Sequence, residues 1–222
     1  MPEYVSIVDV TLRDGEQTRG VSFSAQEKLS IAKMLLKEVK VDRLEVASAR
    51  VSEGEKETVK QICAWAESEG FLERVEVLGF VDSGKSAEWL KESGCRTMNL
   101  LVKGSKKHCE LQLRKKPEEH FSDVEKEIAL ATSKGIAVNV YLEDWSNGMK
   151  DSPEYVFAFA ERLAETKMNR LMLPDTLGIL DPLQVQKYVR EMAKVFPLQK
   201  TDFHAHNDYG LATANSLMAV SE

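Results

Sequence analysis

RLMLPDTLGILDPLQVQKYVREMAKVFPLQKTDFHAH, residues 170–206, reads as strand, helix, strand. The apolar run 170–174 stops at Asp175. Pro182 stands where the first turn of a helix tolerates proline, and an amphipathic helical pattern runs from there through Phe196. A second strand-like run, TDFHAH, follows at 201–206. The same alternation extends towards the N-terminus. Strand-like runs lie at 5–10, 41–47, 74–80, 96–102 and 136–143, and helical patterns such as AQEKLSIAKMLLKEV, EKETVKQICAWAESEG and SPEYVFAFAERLAE separate them. Ser24 and Glu27 form a capping-box pattern. Pro153 opens a helix, and Gly70, Gly94 and Gly135 sit just past helix ends. The highly charged stretch 103–120 reads as a long loop or an exposed extra turn.

Strands that alternate with helices imply parallel βα units. Seven such units without a composition shift predict an α/β fold, a TIM (β/α)8 barrel lacking its last part. Residues 1–222 are then expected to be an incomplete barrel domain, ending after strand seven and the start of helix seven, without strand eight, helix eight and any C-terminal domain. A doubly wound open sheet is the alternative, since length does not forbid it.

The chain has 222 residues, 43% hydrophobic and 30% charged, with net charge −6. The acidic balance argues against nucleic acid as the main partner. No run is long and apolar enough to span a bilayer, and the start, MPEYVSIVDV, lacks the marks of a secretory signal. A cytoplasmic protein is expected. Cys63, Cys95 and Cys109 fit neither a disulfide framework nor a zinc spacing; Cys63 and Cys95 are expected near the core, reduced.

In a barrel, function collects at the carboxyl ends of strands. Those ends carry Arg13, Asp14, Glu16 and Gln17 after strand one, and Asn99 and Lys103 on strand four. Asn139, Tyr141 and Glu143 share one face of strand five; strand six ends in Asp175 and Thr176, strand seven in His204, His206 and Asp208. Histidines at i and i+2 project from one face of a strand and can share an ion. Asp14 is the best third ligand, because strands one and seven are neighbours in a closed barrel. Two imidazoles and a carboxylate leave positions open for substrate, as a catalytic metal site requires. The alternatives are hydrogen-bonded histidines without a metal and the two-His-one-carboxylate iron site of oxygenases, which belongs with all-β folds. Arg13 needs a carboxylate partner if buried, either Asp9 or Glu45; Glu45 could instead pair with a loop cation at the rim.

GFVDSGKS (79–86) fits the phosphate-loop pattern G-x-x-x-x-G-K-[ST] between a strand and a helix, so a P-loop nucleotide-binding protein is a rival. It leaves Arg13, Asp14, His204 and His206 unexplained, and Lys85 reads better as a solvated helix-start lysine.

DVTLRDGEQ (9–17), LPDTLG (173–178) and HAHNDYGLATANS (204–216) resemble the DRE-TIM metallolyases, the acetyl-CoA-dependent isopropylmalate, homocitrate and citramalate synthases grouped with hydroxymethylglutaryl-CoA lyase. NVYLEDWSNG and LGFVDSGKS look most like citramalate synthases, which use pyruvate. The resemblance implies a divalent metal (Mn2+ or Mg2+ first, Zn2+ or Co2+ as alternatives) on Asp14, His204 and His206. It implies Arg13 beside the reacting carbonyl, Glu143 as an acid/base group, and Thr176 on the 2-oxo-acid carboxylate. Leu78, Leu101 and Tyr141 would limit the substrate side chain. The implied reaction is a Claisen-type condensation of acetyl-CoA with pyruvate in branched-chain amino-acid biosynthesis, by an enzyme expected to form homodimers. Isopropylmalate or homocitrate synthesis, and carbon–carbon cleavage by a lyase, are the alternatives.

Overall fold

The computed structural model describes residues 4–222. Its elements run β1 (Val8–Asp9), α1 (Ala25–Met34), β2 (Arg43–Ser48), α2 (Glu53–Ser68), β3 (Val75–Phe80), α3 (Lys85–Ser93), β4 (Thr97–Lys103), α4 (Lys106–Leu111) and α5 (Pro117–Ser133), then β5 (Ala137–Glu143), α6 (Trp145–Asp151), α7 (Pro153–Ala164), β6 (Arg170–Asp175), α8 (Pro182–Met192), β7 (Thr201–Ala205) and α9 (Ala212–Val220). Seven parallel strands follow one another across the sheet in chain order. This is the strand–helix order of the expected TIM barrel, carried through seven of eight strands. No helix among the described residues is long and apolar enough to cross a membrane.

The chain divides into two compact units. One comprises residues 6–100 and 130–138. Its buried side chains include Leu44 and Val46 of β2, Val75 and Val77 of β3, and Val59, Ile62 and Ala66 of α2. Each of these fully buried Val, Leu and Ile side chains contributes about 1.5–3 kcal/mol. The Ser24–Glu27 capping box forms as expected, and Gly94 ends α3 in the left-handed conformation, φ 80°. Cys63 and Cys95 are buried, and so is Cys109 of the other unit.

β1 is shorter than the predicted strand 5–10. Ile7 donates its N–H to the Asp42 side chain at 2.7 Å, outside a strand ladder. After Val10 the backbone N–H groups of Arg13, Asp14 and Gly15 all converge on the Val10 carbonyl at 2.8–3.1 Å. That convergence turns the chain and presents Arg13 and Asp14 at the strand's end.

The other unit comprises, among the described residues, 4–5, 101–129 and 139–222. The stretch expected as a long loop or exposed turn instead forms α4, capped by Ser105, and the start of α5. Cys109 anchors α4 in the core, fully buried. Behind it, Phe121 and Phe159 stack with centroids 4.3 Å apart, and His120 lies 5.3 Å from Phe159. The short helix α6, between β5 and α7, was not foreseen. Pro153 and Pro182 open α7 and α8 as predicted.

His120 accepts the Lys103 N–H on Nε2 at 3.2 Å. Burial, reinforced by the Lys115 charge, pushes its pKa down to about 4 from 6.5. The unfolded chain therefore takes up this proton first, and stability falls with pH across that window. His120's contribution is complete above about pH 6.5 and gone below about pH 4. At about 1.36 kcal/mol per pH unit the window amounts to about 3 kcal/mol. Denaturant titrations at several pH values should show a shallower acid decline for His120→Gln than for wild type; parallel declines would refute this.

Candidate active site

The polar residues of the first unit meet in one buried chain. Arg13 Nε donates to Glu45 Oε2 at 2.5 Å. Asn99 Nδ2 donates to Glu45 Oε1 at 2.8 Å and to Glu76 Oε2 at 2.9 Å. Arg43 Nη1 closes the chain on Glu76 Oε1 at 3.1 Å. Glu45, Glu76 and Asn99 are all buried. Burial raises the Glu76 carboxyl above its usual range, with Arg43 pulling the other way. Glu45 is thus the partner of Arg13, and its reading as a rim residue is overturned. Asp9 instead accepts from the Thr11 N–H and hydroxyl of its own turn. Asp14 lies beside Arg13, with Nη1 and Oδ1 3.5 Å apart. The irregularity in β2 between Glu45 and Ala47 is the kind of bulge that re-aims side chains near active sites. Leu78, near the end of β3, is buried.

The loop after Asp14 has an anchor that the sequence did not announce. Lys28 of α1 is buried between Glu16 and Glu55, each carboxylate 2.6 Å from Nζ. Glu16 also accepts the Phe23 N–H at 2.9 Å, which ties both ends of the loop.

GFVDSGKS does not present a phosphate cradle. Asp82 accepts from the Ser86 N–H and hydroxyl at 2.9 and 2.8 Å, so a carboxylate already occupies the helix start. Lys85 is exposed, as read from the sequence.

In the second unit, Tyr141 of β5 hydrogen-bonds through its hydroxyl to His204 Nδ1. The rings of His204 and His206 stack with centroids 4.8 Å apart and planes 15° from parallel. His204 ends up on the face that the parity of β7 predicts, opposite Phe203, which packs against Trp145 at 6.3 Å. His206 lies one residue beyond β7, its N–H bonded to the Asp175 carbonyl at 3.3 Å. The buried Asp175 carboxylate accepts the Ile179 and Leu180 N–H groups at 3.2 and 3.0 Å and shapes the loop that follows β6. Glu143 is paired with Lys103, so these two strand-end residues meet. Lys103 is itself held through its backbone, by His120 and by the Tyr155 hydroxyl at 2.8 Å. Thr176 accepts the Asp144 N–H at 2.9 Å. Leu101 on β4 is half-buried.

Parallel βα units with carboxylate, guanidinium and imidazole groups at their strand ends put the polar residues where barrel folds collect their function. The chain belongs to the HMGL-like family, which it matches over residues 4–222. It is 30% identical over 220 residues to a probable 2-isopropylmalate synthase of Ignicoccus hospitalis, covering 99% of this chain and 53% of that protein. It is 34% identical over 217 residues to an (R)-citramalate synthase of Methanocaldococcus jannaschii, covering 97% of this chain and 42% of that protein. The chain therefore spans about half the length of the curated relatives it matches. The solved HMG-CoA lyase of Brucella melitensis shares the fold, with TM-score 0.79 and 20% identity over 99% of this chain and 78% of that one.

Proposed function

We propose that the protein containing this chain condenses acetyl-CoA with a short 2-oxo acid, pyruvate before larger ones, and that water then hydrolyses the resulting thioester to give citramalate and free CoA. The observation that carries this reading is the pairing of strand-end chemistry with synthase relatives: Arg13 braced on buried Glu45 and Tyr141 bonded to His204, in a chain 30–34% identical to isopropylmalate and citramalate synthases. Identity does not separate the two substrates, since both kinds of relative match about equally well.

In this proposal Asp14, His204 and His206 hold one divalent ion. The donor set fits, because imidazole nitrogen and carboxylate oxygen suit Mn2+ or Mg2+ as well as Zn2+ or Co2+. When bound, the ion polarises the ketone of the 2-oxo acid. Arg13 meets the alkoxide charge as it develops, and its fixed partner means that little reorganisation is needed at that moment. Glu143 takes the proton from the methyl group of acetyl-CoA, and Lys103 orients its carboxylate. The Thr176 hydroxyl binds the 2-oxo-acid carboxylate. Leu78, Leu101 and Tyr141 border the substrate side chain, and an active homodimer belongs to the same proposal.

Release of free CoA from acetyl-CoA, measured for the natural-length protein against a panel of 2-oxo acids with and without chelator, tests this reading. No release with any 2-oxo acid would refute it. Leu78→Ala should move the kcat/KM preference from pyruvate towards 2-oxobutyrate, by about tenfold for one methylene's worth of room. An unchanged ratio would remove Leu78 from the substrate pocket.

A further inference from the structure

We infer that Asp144 is a positioning residue for the 2-oxo acid and acts through Thr176; this rests on the function proposed above. β5 ends at Glu143, and Asp144 follows with φ 66°. Residues with a side chain rarely adopt that left-handed conformation, and Asp and Asn tolerate it best. Three side chains hold it. Ser105 Oγ donates to Asp144 Oδ2 at 2.7 Å, Asn147 Nδ2 donates to Oδ1 at 2.8 Å, and His108 Nε2 lies 3.4 Å from Oδ2. The carboxylate is buried, so its position is set by these bonds.

The consequence falls on the backbone N–H of Asp144, which donates to Thr176 Oγ1 at 2.9 Å. A hydroxyl has one proton and two acceptor lone pairs. With Asp144 on the acceptor side, the Thr176 proton must be directed elsewhere. Thr176 is thereby prepared as a donor to an anionic oxygen, the property a carboxylate-binding threonine needs. Ser105, His108 and Asn147 have a function in this arrangement: they keep a strained residue in the one conformation that aims its N–H at Thr176.

The test is a double-mutant cycle on the natural-length protein, with CoA release followed at varied pyruvate and varied acetyl-CoA. Asp144→Ala should raise the KM for pyruvate about tenfold, equivalent to about 1.4 kcal/mol, and leave the KM for acetyl-CoA nearly unchanged. Asp144→Asn, which tolerates the left-handed backbone, should restore most of the loss. In a Thr176→Val background, Asp144→Ala should add less than about twofold, the margin within which independent effects add. If the alanine variant does not fold, Ser105→Ala should shift the pyruvate KM in the same direction and lose that effect in the Thr176→Val background. Additive losses, or equal damage to both substrates with no rescue by asparagine, would overturn the inference. A wild-type protein that releases no CoA would refute the underlying reading, and this inference with it.

Discussion

His204→Ala in the natural-length protein should lower the rate of CoA release about a thousandfold or more. It should also lower the metal that dialysed protein retains. The size follows from what a bound cation contributes to a developing alkoxide, several kcal/mol at about 1.36 kcal/mol per factor of ten. The substitution removes a proposed metal ligand and, with it, the group that bonds Tyr141 and stacks on His206. Tyr141→Phe separates these roles. It deletes only the hydroxyl, so the loss should be smaller, about 10–100-fold as for other groups that orient a ligand, with metal largely retained. Elemental analysis beside initial rates distinguishes the two variants. If His204→Ala keeps wild-type metal content, or if chelator leaves the wild-type rate untouched, the proposed centre is wrong.

Glu45→Ala should destabilise the protein by about 3–5 kcal/mol. The Arg13 side chain is only 9% exposed and Glu45 is fully buried, and the substitution takes the 2.5 Å carboxylate from a buried charge whose contact to Asp14 is longer, 3.5 Å. The same substitution deprives Asn99 of the acceptor at 2.8 Å and relieves Glu76 of a neighbouring negative charge. The network should therefore respond as a unit, and Asn99→Ala combined with Glu45→Ala should cost less than the two separately. Urea unfolding midpoints at unchanged m-value measure this directly. A cost below about 0.5 kcal/mol, the range of an ordinary surface substitution, would mean that Glu45 does not carry Arg13. Catalysis should suffer as well, because an unbraced guanidinium no longer meets the developing charge in a fixed position.

Both predictions rest on residues the sequence had already marked, but to different degrees. His204 and His206 were legible because a strand's two-residue period puts them on one face whatever the surroundings. The partner of Arg13 was not. Asp9 and Glu45 were equal candidates until the turn at Val10 bound Asp9 to Thr11 and the irregularity in β2 set Glu45 apart. The phosphate-loop pattern at 79–86 is already disfavoured by the sequence, since it leaves Arg13, Asp14, His204 and His206 unexplained, and Asp82 occupies the helix start. The helices α4 and α6 were missed because six or seven residues with little apolar periodicity cannot hold a helix alone; burial of Cys109 and Trp145 supplies what the local sequence lacks.

The βα alternation, the strand-end placement of Arg13, Asp14, Glu143, Thr176, His204 and His206, and the family were determined by the sequence itself. They depend on short-range periodicity and on contiguous motifs. Which groups touch was decided only by the tertiary structure. The partners lie far apart along the chain: Arg13 and Glu45 are separated by 32 positions, Ser105 and Asp144 by 39 and Tyr141 and His204 by 63. No local pattern encodes such pairings. They follow from the register of strands and the turns at their ends, where buried polar groups must find partners or raise the energy of the fold.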